Sequence, residues 1–436
     1  MKKSIIWILV VIFASSLIFM GVGCKKEEAP AEEAPAEEAP AEAKEIRLLM
    51  ADTPEEVPNF YAQIKDYEAE TGVKILWVTI SPDPGEISSS LVPAFESETT
   101  PGDLLLIPYL GILRGFAEHG YLTNMSELAN KIDENWGWIP GMLETGTIPG
   151  TDNVYALPRG SYVNSIGLYR ISFFADNGIE ISDTITWDDF LNLCAEIKDL
   201  TGTPPISMAS TYGTRLITEH LICSFAGKEA WTDFALGKIN ASDPTIKEAL
   251  GKLALLSDEG YVTDPMKEPE MVWGWWNGDY PIGLRQPGMV GALGPDVSRE
   301  DAYEDQGYFV ISGKAGLPDA YCGAMSFASI PKYSPVIQEA EDFVEWLTTP
   351  EKFSEGAEAG DIPVINIAQE ALHPETVKIL DVLGGLEFRF DISDMVGSEW
   401  ASTLDQQVEM LLINGSDYLD QAIEIINGVA NPLSQS

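Results

Sequence analysis

The residues with which catalysis could be done are few and scattered. His119, His220 and His373 are the only histidines in 436 residues. They lie far apart along the chain, so neither a triad nor a metal motif can be assembled from them with any specificity. Of the four cysteines, Cys24 sits near the N-terminus, while Cys194, Cys223 and Cys322 follow no zinc-site spacing. A disulfide between Cys194 and Cys223 is open to them in an oxidising compartment, and three buried thiols are the other arrangement. Carboxylates are abundant, and a glycoside hydrolase needs only two, one with a raised pKa beside one that stays ionised. No aromatic-flanked acid pair at a strand end suggests one. The expectation is a protein without catalytic residue, metal or cofactor.

Aromatic side chains are the other chemical resource. The stretch "MVWGWWNGDYPIGLRQPG", residues 271–288, holds three tryptophans within four positions. Val272, Trp273 and Trp276 share one helical face, the pattern of packing, whereas Trp275 points away from it and is a candidate for ligand contact. An aromatic at a loop or helix start can turn a flat apolar face to a ligand, where one in the middle of a helix packs. Trp400 stands at such a place: it follows Gly397-Ser398 at the start of a helix whose apolar face continues through Leu404, Val408 and Leu411.

The elements that must position such residues are of mixed type. "EIRLLMADT" reads as a strand, "EEVPNFYAQIKDYEAETG" as a helix with Phe60, Ile64 and Tyr67 on one face and Gly72 as its stop, and "VKILWVTI" as a second strand. This β-α-β opening predicts an α/β fold around a largely parallel sheet. "GDLLLIP" is another buried strand, and Thr186 is a plausible N-cap for "WDDFLNLCAEIKDL". The chain beyond Ile46 is too long for one core and suits two.

Charge and the N-terminal segment bound the setting. A net charge of -43 excludes nucleic acid as a partner, because phosphate binding needs a basic face. Lys2 and Lys3 precede an apolar run from Ile5 to Val22, which reads as a secretory signal over 1–23. "GVGC" resembles the bacterial lipobox, although Gly21 stands where Leu is usual; the resemblance implies that Cys24 is acylated. Residues 24–45 repeat EEAPA, with no apolar side chain larger than Ala or Pro to offset the entropy of ordering, and read as an extended acidic tether.

Several stretches together resemble the extracellular solute-binding proteins of ABC importers, in the branch that commonly carries sugars. In order these are "YEAETGVKI", "PGDLLLIP", "FAEHGYLTNM", "VYALPRGSYVNSIGLYR", "ITWDDFLNLCAEI", "WNGDYPIGLRQPG", "GAMSFASIPKYS" and "EAEDFVEWLTTPE". Arg170 departs from the pattern, which usually has Asn after Tyr169. The resemblance implies a two-lobed periplasmic-binding-protein-like fold with discontinuous lobes, 46–165 with 328–375 and 166–327 with 376–436, and a ligand cleft between them. It also implies an extracytoplasmic, membrane-anchored monomer whose partners are a small solute and a permease. The loop "QPG" then contacts the solute, which makes Arg285 and Gln286 candidates through in-plane hydrogen bonds. Asp52, Tyr109, Arg159, Tyr162, Asn164 and Tyr212 line the cleft or its crossovers on the same basis, and Trp400 stands where the family often carries a stacking aromatic. A polyamine or peptide in the same fold, or a secreted glycoside hydrolase, are the competing readings.

Overall fold

The computed structural model describes residues 44–81, 84–148, 151–164, 166–208, 212–265, 280–285, 287, 303–313, 320–357, 360–396 and 398–435. β1 (Glu45–Met50), the helix Pro58–Thr71 and β2 (Lys74–Thr79) form a parallel unit in which Ile46 lies opposite Ile75 and Leu48 opposite Trp77. Phe60, Ile64 and Tyr67 are buried on one face of the helix, and Gly72 ends it at φ 74°, a left-handed conformation that costs glycine little. β3 (Leu104–Ile107) adds in parallel to β1 and is buried along its whole length, as a strand covered on both faces must be.

Later strands divide between two sheets. The first takes the order β11 (Glu387–Phe390), β10 (Ala320–Ser329), β3, β1, β2, with β4 (Leu157–Val163) also paired to β10. The second takes the order β6 (Thr184–Thr186), β9 (Gln306–Ser312), β5 (Ile166–Arg170), β8 (Ile282–Arg285), β7 (Ile206–Ser207). Both are mixed rather than largely parallel. β10 returns antiparallel to β3, and β5 runs antiparallel to both of its neighbours. Each sheet has its own core, one around Leu48, Phe95, Phe327 and Phe343, the other around Phe190, Ile217, Trp231 and Leu411. The fold is therefore α/β and two-lobed.

Local signals place the helices that cover the second sheet. Thr186 caps the helix Trp187–Thr201, its side chain accepting from the Asp189 N–H at 3.1 Å, a contact worth about 1 kcal/mol. Arg170, the departure noted above, pairs with Asp305 at 3.0 Å, and Asp305 also accepts from the Ser172 N–H, so the exit of β5 is fixed by charge rather than by an amide side chain. The expected lobe boundary at residue 376 falls inside the helix Pro374–Leu383. Its Ile379 and Leu383, and Phe388 and Phe390 beyond it, pack into the first core. That helix also meets the second sheet, where the Tyr308 hydroxyl on β9 donates to Glu375. Among the described residues no helix is long and apolar enough to cross a membrane.

Candidate functional site

Among the described residues three passages of chain link the two cores. Asn164 joins β4 to β5. β10 runs from the second core, where Ala320 and Cys322 are buried, into the first, where Met325, Phe327 and Ala328 are. Asp391 follows β11 and leads through the helix Ile392–Val396 to the helix Ser398–Asn414. The passages bind one another through their backbones, the Asn164 N–H donating to the Cys322 carbonyl at 2.9 Å and the Asp391 N–H to that of Gly323 at 2.8 Å. Asn164 Nδ2 donates to Asp391 Oδ2 at 2.7 Å.

The helix Tyr212–Phe225 meets this junction with residues four apart, which share one face. Arg215 Nε lies 3.3 Å from Asp391 Oδ2 and its Nη1 3.9 Å from Asp405 Oδ2. One turn on, Glu219 Oε1 accepts from the Ile392 N–H at 3.2 Å. After another turn, Cys223 Sγ lies 3.0 Å from Cys322 Sγ. One guanidinium thus serves several carboxyl groups. Burial pushes Glu219 well above the usual carboxylate range, with the Asp391 charge adding and Arg215 opposing. Burial likewise pushes Asp405 up to about 7 against the pull of Arg215, Asp391 and Glu409 adding to the rise. A raised carboxyl beside another acid is the arrangement a hydrolase uses. Here Glu219 is 1% exposed and Asp391 0%, so neither water nor a glycosidic bond reaches them, and the cluster holds the crossings together.

A cavity of about 320 Å³ opens beside this junction, between the lobes. From the first lobe come Arg114 on the helix Leu110–Glu118, Thr145, and Phe388 and Arg389 of β11; from the second comes Trp231 on the helix Gly227–Ala235; Met395 follows Asp391. The size is that of a small-molecule site, and apolar walls with a few donors are the usual lining. Arg114 Nη1 and Arg389 Nε are buried without a hydrogen-bond partner among the described residues. Burial lowers the Arg114 pKa, Glu118 opposing the shift. An unsatisfied buried donor costs about 1–3 kcal/mol, a cost that an arriving ligand oxygen removes.

The residues singled out from sequence fall in several places. Tyr109 is half-buried and directly precedes the helix that carries Arg114. Tyr162 is half-buried on β4, two residues before Asn164, which is the fully buried partner of Asp391. Arg159 faces a second cavity of about 260 Å³ in the first lobe, its guanidinium 3.7 Å from the Phe60 ring centre. Burial pushes that guanidinium down to about 10, with Asp361 and then Asp52 pulling it back up. Asp52 itself lies at the surface after β1, where its carbonyl accepts from Trp77 Nε1 at 3.1 Å. Tyr212 opens the helix of Arg215, and Arg285 ends β8. Their side chains lie outside the described residues, as do Trp273, Trp275, Trp276 and Gln286, together with Cys24 and the tether up to residue 43; Glu45, its last residue, opens β1.

One expectation is corrected by packing. Trp400 is 4% exposed, in the second core, and meets the Phe234 ring edge-on at 5.4 Å. Of the two cysteine arrangements, the structure has three buried thiols, with Cys223 facing Cys322 and Cys194 apart on the helix Trp187–Thr201. The histidines serve helices and strands separately. His119 Nδ1 lies 2.8 Å from the Gly115 carbonyl, His220 Nε2 accepts from the Ile311 N–H at 3.3 Å, and His373 caps the helix Pro374–Leu383. Among the described residues no group of His, Cys, Asp and Glu could hold a metal ion. Arg114, Arg215 and Asp391 escaped the sequence reading. Arg114 left one trace, a charge inside the apolar stripe Leu110, Leu113 and Ala117.

Residues 51–352 match the family model of the bacterial extracellular solute-binding proteins. An uncharacterized ABC transporter extracellular-binding protein of Pyrococcus horikoshii is 25% identical over 379 residues, covering 85% of each chain. The multiple sugar-binding protein of Streptococcus mutans is 25% identical over 352 residues, 78% of this chain and 79% of that one. Among solved structures, the bacterial solute receptor AcbH, described as exclusive for β-D-galactopyranose, superposes with a TM-score of 0.71 at 14% identity, covering 90% of this chain and 98% of its own.

Proposed function

The chain belongs to the bacterial extracellular solute-binding proteins, and from that premise we propose that it is a lipid-anchored receptor that captures a sugar or oligosaccharide between its lobes for an ABC-type permease. The family is one of receptors, placed outside the cytoplasm and partnered by membrane permeases. The observation that carries the sugar reading is the interlobe cavity, where the Arg114 Nη1 and Arg389 Nε donors are buried without a partner among the described residues, beside the packed rings of Trp231 and Phe388. Hydroxyl oxygens satisfy such donors. A polyamine needs an excess of carboxylates, whereas Glu144 and Glu387 on the cavity lining are matched by Arg114 and Arg389, the last of which pairs with Glu387 at 2.8 Å. The sugar ligands named for the Streptococcus mutans relative and for AcbH point the same way. Tyr109, Tyr162, Tyr212, Trp275, Arg285 and Gln286 are proposed as further contacts, and Asp52 and Arg159 as the border of the first-lobe wall. The receptor acts as a monomer, and the two lobes approach each other as the solute binds, because a cleft lined from both sides gains its contacts only when closed.

Thermal melts of the purified protein against mono- and oligosaccharides, β-D-galactopyranose among them, with polyamines and amino acids as the competing classes, test this. A saccharide at 100 times its dissociation constant stabilises by about 2.7 kcal/mol. Arg114→Met is expected to melt near the wild-type temperature, since it removes a guanidinium whose buried Nη1 has no hydrogen-bond partner among the described residues, and to lose the saccharide shift. A polyamine shift with none from any saccharide, or a full saccharide shift in Arg114→Met, contradicts the assignment.

The anchor is tested separately. Acylation requires a thiol at position 24, and each buried methylene of the acyl chains contributes about 0.8 kcal/mol to membrane association. Cys24→Ser is expected to abolish incorporation of labelled fatty acid and to release the protein from the membrane fraction. Equal label in variant and wild type removes the lipid from the proposal.

A further inference from the structure

We propose that Cys223 and Cys322 are joined by a disulfide in the mature protein, which pins the helix Tyr212–Phe225 to the crossing strand β10. The two Sγ atoms lie 3.0 Å apart although 99 positions separate the residues, so the fold itself brings them together. The gap exceeds the covalent S–S distance of about 2.05 Å by only about an ångström. Both residues are buried, 2% and 0% exposed. Cys194 sits on another helix and is buried alone, which leaves one pair and one odd thiol among the described residues. A protein of this family works outside the cytoplasm, where apposed thiols are oxidised.

The step balances with a disulfide as oxidant, either that of a thiol–disulfide oxidoreductase or a small-molecule disulfide. The two thiols lose two protons and two electrons and form one S–S bond; the oxidant's S–S bond breaks and becomes two thiols. Attack requires a thiolate, and burial holds the Cys322 thiol protonated, with the Cys223 contact and the charges of Glu219 and Asp391 acting in the same direction. Exchange therefore takes place before the helix packs onto β10, and the finished bond is shielded from reductant. Cys223 is one turn from Glu219 and two from Arg215, so the bond fixes the helix face that reaches Asp391. It also closes a long loop in the unfolded chain, the case in which a cross-link restricts that chain most.

Peptide mapping of the full-length protein tests this, after isolation from the extracytoplasmic fraction and alkylation under denaturing conditions without reductant. The peptides of Cys223 and Cys322 should be recovered joined, with Cys194 alkylated. Cys194→Ala should keep the cross-link. Cys322→Ala should render Cys223 alkylatable and lower the melting temperature; if that variant does not accumulate, reduction of the unfolded wild type followed by refolding in reductant gives the same comparison. Alkylation of both Cys223 and Cys322 in the wild type, or a Cys194–Cys223 peptide, overturns the proposal.

Discussion

Arg215→Met is expected to destabilise the protein by about 3–5 kcal/mol, the cost of removing one partner from a buried ion pair. The guanidinium lies 3.3 Å from a fully buried Asp391 carboxylate and reaches toward Asp405, and without it both face each other and Glu219 with no positive charge between them. The loss carries a pH signature. Asp405 is held at about 7 in the folded protein, against about 3.9 in an unfolded chain, so the folded state binds the extra proton between those values. Stability then falls as pH rises through that window, by up to about 1.4 kcal/mol per unit. Arg215 limits the fall by favouring the ionised form. In Arg215→Met the folded-state pKa moves further up, the window extends to higher pH, and the difference from wild type should grow from pH 4 to pH 8. Chemical denaturation at several pH values measures it. A difference that is small, or the same at every pH, means that Arg215 is solvated and that the crossings are held by backbone bonds alone.

Trp400→Ala should cost a similar amount by a different route. The indole packs on Phe234 between the helices Ser398–Asn414 and Gly227–Ala235, and Leu404 and Leu411 continue the same buried face. Deleting a buried aromatic ring costs about 3–5 kcal/mol in transfer and cavity terms. A surface pocket of about 180 Å³ already borders the ring, so the deletion widens a gap that the neighbours do not fill. Melting temperature should drop sharply, while the folded fraction binds the wild-type saccharide with unchanged affinity. Unchanged melting with lost binding returns Trp400 to the ligand, as its place at a helix start first suggested.

Trp400 shows where legibility ends. The apolar spacing through Leu404, Val408 and Leu411 identifies the helix and its buried face, because those contacts obey a local period. Whether the ring at its start meets ligand or Phe234 depends on a helix more than 160 positions away. The parallel opening, the Gly72 stop, the Thr186 cap and the strand "GDLLLIP" are local in the same sense, and they are readable. The third crossing is not. Asp391 becomes a junction residue only when β11 is laid beside β10 and its carboxylate meets Asn164, 227 positions earlier. The expected boundary at residue 376 cuts the helix Pro374–Leu383 for a related reason: nothing local says which core Ile379 and Leu383 will join. The resemblance to a two-lobed family supplied the architecture, and it carried no sign of Arg114, Arg215 or the cysteine pair, which are features of this chain's own side chains.

We propose capture of a saccharide by closure of the two lobes about the Asn164–Arg215–Asp391 junction. Small-angle scattering with and without the saccharide that gives the largest melting shift tests it most directly. The radius of gyration should fall at saturation in the wild type; an unchanged radius with the site fully occupied would contradict closure.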